Sequence, residues 1–98
     1  MLTDTSKKYN LDFSECKYLG EIHQKIQTIL ELPDWYGQNL DSLWDAITGI
    51  MYLPAEITII FQPQTAQPLQ LSDEVDKIIA VFKEAADEFG EIALDIVI

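Results

Sequence analysis

The run Glu56-Ile57-Thr58-Ile59-Ile60-Phe61 is short, rich in β-branched residues and apolar at all but two positions. Such residues fit the pleat of a strand, and near-continuous hydrophobicity is what a central strand buried on both faces requires. Pro63 closes the run, because proline has no N–H to give a ladder. A strand buried in this way belongs in a parallel sheet, where helical crossovers supply the cover. The chain on either side should therefore alternate helix with strand.

It does so in both directions. Upstream, Tyr9, Leu11 and Phe13 alternate with Lys8, Asn10 and Asp12 in the period-2 pattern of a first strand, preceded by a polar, loose extension over residues 1–7. Leu19, Ile22, Ile26, Ile29 and Leu30 then recur at helical spacing up to Pro33, which predicts a helix over 20–31. Downstream, a polar connection with two prolines spans 62–70, after which Ser72 or Asp73 can cap a long helix with Glu74 and Asp76 in its first turn. Val75, Ile78, Ile79, Phe82, Ala85, Ala86 and Phe89 form its stripe, Gly90 ends it, and residues 92–98 read as a third strand. The expected fold is α/β: one small domain over residues 1–98, with a three-stranded parallel sheet packed with three to four helices.

Composition narrows the function. The six Lys residues face seventeen Asp and Glu, with no Arg, for a formal net charge of −11. Such a surface repels phosphate backbones and anionic membranes and steers basic partners towards it. Neither direct nucleic-acid binding nor membrane association is expected. Cys16 has no second cysteine to pair with, no basic-then-apolar leader opens the chain, and no apolar run is long enough to span a bilayer. A soluble protein of the reducing cytoplasm is the expectation.

Between the first two strands lies Leu32-Pro33-Asp34-Trp35-Tyr36-Gly37-Gln38-Asn39-Leu40-Asp41-Ser42-Leu43-Trp44-Asp45-Ala46-Ile47-Thr48-Gly49. Asn39 is a good N-cap, Leu40, Leu43, Trp44 and Ile47 fall at i, i+3, i+4 and i+7, and Gly49 supplies a stop, so 39–48 should form a short amphipathic helix. Asp41 suits the first turn, but Asp45 lies beyond it and faces a like charge at i+4. Folding gains nothing obvious from Asp45, which makes it a candidate for binding or catalysis. Trp35 and Tyr36 either cover the core or anchor a partner; the aspartates nearby favour the anchor for Tyr36 and leave Trp35 open. Gly37 is read as a backbone device for a close turn. Glu84 and Glu88 pair like charges at i, i+4 near the end of the last helix, and fit a solvated face as well as a functional one.

Enzymatic chemistry finds little support in these residues. His23 falls at the edge of an apolar stripe and reads as a packed structural histidine; Cys16 reads as a structural thiol. Asp41 and Asp45 could serve a carboxylate or metal-dependent hydrolase, but one exposed helix face lacks the walls and further ligands of a cleft. There is no Gly-rich phosphate loop or metal-ligand cluster. No metal, cofactor or small-molecule substrate is expected.

The stretch from Leu32 to Asp45 resembles the signature of the barstar family of ribonuclease inhibitors. The likeness runs from about Leu11 to the C-terminus and includes Leu19-Gly20-Glu21-Ile22-His23-Gln24 and Phe82-Lys83-Glu84-Ala85. The resemblance implies a three-stranded parallel sheet with helices against it. It also implies inhibition of small, basic, guanyl-specific ribonucleases by laying the second helix and its preceding loop into the active-site cleft. On that basis Asp45 would take the place of a substrate phosphate, with Asp41 in support. Trp35, Tyr36, Gly37 and Asn39 would form the loop contact, Thr48 and Gly49 the helix end, and Glu84 a second acidic contact. Trp35 stands where the best-known member has a tyrosine, Ile50 where it has a tryptophan, and Glu88 matches a family acid only if a small insertion precedes the last helix. An interaction module with a basic partner other than a ribonuclease is the alternative reading.

Overall fold

The computed structural model describes residues 7–49, 54–62 and 69–98, with the side chains of 69 and 70 excepted. Three strands, β1 (Lys7–Asp12), β2 (Ala55–Ile60) and β3 (Ile92–Val97), form a parallel sheet in the order β1-β2-β3. Among the described residues, three helices connect them: α1 (Leu19–Ile29) and α2 (Leu40–Gly49) between β1 and β2, and α3 (Leu69–Glu88) between β2 and β3. The class and the three-stranded parallel sheet are those expected, and two crossovers in the same direction build the sheet in sequence order.

The alternation along each strand sets the core. Tyr9 and Leu11 of β1, Ala55, Ile57 and Ile59 of β2, and Ile92 of β3 are buried together with Ile22 and Ile26 of α1, Leu43 and Ile47 of α2, and Val75, Ile78 and Phe82 of α3. Phe13 lies just past β1, fully buried, and its N–H donates to the Ile60 carbonyl at 2.7 Å. Burying a Phe or Ile side chain contributes about 1.5–3 kcal/mol, so this layer is the main favourable term in folding.

Four expectations need correction. Lys7 is not part of a loose extension but the first residue of β1, in register with Ala55; residues 1–6 lie outside the described residues. β2 is central but not buried on both faces. Glu56 is exposed, and Thr58 and Ile60 are half-buried. The described helices pack on one side, and Lys8, Asn10, Glu56, Ala93 and Asp95 are exposed on the other.

The long helix also begins earlier than Ser72 or Asp73. Leu71 is buried and continues the stripe one turn upstream of Val75 and Ile78, so packing extends the helix to Leu69 and leaves both capping candidates exposed inside it. Glu74 accordingly falls past the first turn, where it meets Lys77 at 3.3 Å. Finally, α1 stops at Ile29 rather than 31. Leu30 is its C-cap and Glu31 turns left-handed with φ 55°, so that the Leu32 N–H reaches the Gln27 carbonyl at 2.9 Å and the Glu31 N–H reaches that of Thr28 at 3.3 Å. This is a Schellman closure with glutamate where glycine is usual.

Candidate functional site

The segment from α1 to α2 is built by local hydrogen bonds. The Tyr36 N–H donates to the Pro33 carbonyl at 3.0 Å, which folds Pro33, Asp34, Trp35 and Tyr36 into a tight turn. Gln38 then adopts φ 53°, a left-handed conformation that costs a non-glycine residue about 1–2 kcal/mol. Beside it, Gly37 leaves room for two side chains: a Cβ there would stand 2.5 Å from Ser42 Oγ, which would have to turn aside, and 3.2 Å from Asn39 Nδ2. The left-handed turn and the close approach are therefore divided between neighbouring residues.

Asn39 caps α2 as expected. Its Oδ1 accepts from the Ser42 N–H at 2.8 Å, its carbonyl accepts from the Leu43 N–H at 2.9 Å, and its Nδ2 donates to the Gly37 carbonyl at 3.2 Å. One side chain thus ties the loop to the first turn, satisfying an N–H that a helix start would leave open. Leu43, Ala46 and Ile47 anchor the inner face of α2, and Trp44 packs half-buried against the core. Asp41 and Asp45 stand exposed on the outer face. Thr48 is half-buried and its hydroxyl donates to the Trp44 carbonyl at 2.8 Å. Gly49 is exposed and ends the described helix, with nothing within 4 Å of a Cβ placed there.

The two loop aromatics separate sharply. Trp35 is 65% exposed, whereas Tyr36 is only 4% exposed. The Tyr36 hydroxyl lies 2.7 Å from Nδ1 of His23, itself 3% exposed on α1, with ring centroids 5.8 Å apart and tilted by 52°. Burial holds the His23 imidazole below its ordinary value, against a smaller opposing pull from Glu74, and pushes the Tyr36 phenol up to about 12. Both groups are neutral near pH 7. The Tyr36 ring is therefore core, against the expectation that it anchors a partner, and Trp35 is the aromatic of this loop that faces outward.

Cys16 is buried and its thiol pushed up by that burial, which suits a packing role. Among the described residues, no three His, Cys, Asp or Glu side chains gather as a metal ion needs. No described helix is long and apolar enough to cross a membrane. Glu84 is exposed on α3, the helix that packs against α2, and Glu88 is exposed one turn on. Ile50 lies outside the described residues. The result is a capped, braced helix start carrying an exposed indole and two outward carboxylates.

Residues 7–98 match the model of the family described as Barstar (barnase inhibitor). This chain belongs to the barstar family. It is also 30% identical over 85 residues to the Bacillus subtilis (strain 168) protein named "Putative ribonuclease inhibitor YrdF", covering 87% of this chain and 91% of that one. The barstar match takes in the described sheet and the three described helices. Two residues of this barstar chain matter more than their sequence context indicated. Ser42 sets the space that Gly37 must leave, and His23 is the buried partner of Tyr36. Their only sequence signals were positional: Ser42 at N3 of a capped helix, and His23 on the edge of an apolar stripe.

Proposed function

We propose that this chain inhibits a small, basic, guanyl-specific ribonuclease in the cytoplasm of the cell that makes it, by placing the Trp35–Asn39 loop and the outer face of α2 into the enzyme's active-site cleft. The observation that carries the reading is the outward pair Asp41 and Asp45 on a helix whose start is fixed by Asn39. A carboxylate held rigidly can stand in for a substrate phosphate among arginines and make charge-assisted hydrogen bonds without reorganising. The net charge of −11 adds long-range steering of a cationic enzyme. Asp41, Thr48 and Gly49 extend the contact along α2, and Glu84 supplies a second acidic contact from α3. Catalysis by this chain has no part in the reading, which is that of a plug.

The test is inhibition of RNA cleavage by a small basic guanyl-specific ribonuclease, with Asp45→Ala beside the wild type. Losing two charge-assisted hydrogen bonds should weaken binding by about 3 kcal/mol. Thermal stability should hold or rise slightly, because the i, i+4 repulsion with Asp41 is relieved. Equal inhibition by both proteins would refute the phosphate-mimic role. Raising the salt should slow association more than it speeds dissociation.

A further inference from the structure

His23 and Tyr36 are both buried, and a hydrogen bond joins their side chains across thirteen residues of chain. Four residues further along α1, Gln27 Nε2 donates to the Pro33 carbonyl at 3.0 Å. Residues at i and i+4 share a helix face. The same face of α1 therefore holds the turn at both ends, Pro33 through its backbone and Tyr36 through its hydroxyl. Trp35 lies between the two ties, exposed on a backbone secured on either side.

We propose that His23 is a positioning residue for the partner-facing loop: acting through the Tyr36 hydroxyl, it fixes where the Trp35 indole and the Gly37 to Asn39 backbone stand before a partner arrives. The inference rests on the reading of this loop as part of the binding face. An apolar pair in place of His23 and Tyr36 would cover the core as well, but it would be non-directional. A hydrogen bond between two rings sets both distance and angle. It does so here without charge, since burial keeps the imidazole deprotonated and the phenol protonated. Ordering Trp35 in advance removes that entropy cost from association.

Three variants test this: Tyr36→Phe, which removes only the hydroxyl; His23→Leu, which leaves that hydroxyl buried without its partner; and His23→Asn, whose amide reaches the position of Nδ1 and can keep the bond. Native-state hydrogen exchange of the free proteins is read at the Tyr36-position and Ser42 amides and at Ile57 and Ile59 of β2. Complex lifetime is read with a small basic guanyl-specific ribonuclease. Tyr36→Phe and His23→Leu should speed loop exchange about tenfold and shorten the complex lifetime about tenfold. His23→Asn should recover most of both.

If the bond serves only overall stability, the β2 amides accelerate while the loop amides keep their wild-type rates; that result overturns the proposal. An unchanged complex lifetime in Tyr36→Phe overturns it as well. Should the wild type inhibit no such ribonuclease, the proposed function falls, and the loop amides of the free protein still decide whether His23 holds the loop.

Discussion

The starts of α1 and α2 solve the same problem in different ways. At α1, Tyr18 occupies the N-cap with extended backbone, φ −149° and ψ 164°, but its side chain makes no capping bond and is 64% exposed. The helix closes from within instead, as Glu21 Oε1 reaches back to accept from the Lys17 N–H at 3.0 Å. At α2 the cap comes from outside, with Asn39 joining loop and helix by bonds in both directions, and Gly37 and Ser42 are closely fitted beneath it. One start is closed by a single local bond; the other is constrained beyond what helix initiation needs. The extra constraint sits where the exposed Trp35 and the two aspartates sit, which suits the binding role proposed for that surface.

Substitutions can break that contrast from either end. Gly37→Ala should be the most damaging, at about 1–2 kcal/mol, because the added methyl must turn Ser42 Oγ aside and crowd the capping amide of Asn39. In a Ser42→Ala background less than half of that cost should remain, and urea unfolding of the four proteins of the cycle measures both. Asn39→Ala should cost about 1 kcal/mol of stability through the lost cap. It should also shorten the complex lifetime with a small basic ribonuclease, whereas Tyr18→Ala should leave that lifetime unchanged. The smallest effect is expected where α1 is given what α2 already has. Tyr18→Ser places a capping hydroxyl on backbone already extended for it, and should raise the urea midpoint by the equivalent of about 0.5 kcal/mol.

Much of this architecture could be read without coordinates. The β-α order and the class follow from two periodicities, because burial against one core imposes period 2 on strands and 3.6 on helices. The Asn39 cap and the Asp41/Asp45 face were equally legible, since capping and i, i+4 geometry are local. Errors arose where packing overrode local signals. Ser72 and Asp73 looked like caps, yet burial of Leu71 carried α3 past them. The apolar run of β2 looked buried on both sides, yet the described helices cover only one.

The loop marks the boundary most clearly. By itself the sequence determined that two aromatics, a glycine and a capping asparagine would precede an acidic helix, since composition, spacing and charge are properties of the chain. It could not say which aromatic turns inward, because a turn has no period from which a face can be assigned. Only the tertiary structure decided that, by setting His23 of α1 within 2.7 Å of the Tyr36 hydroxyl. A buried imidazole needs a partner and a buried phenol needs one too. Their meeting draws Tyr36 into the core and leaves Trp35 exposed beside the start of α2.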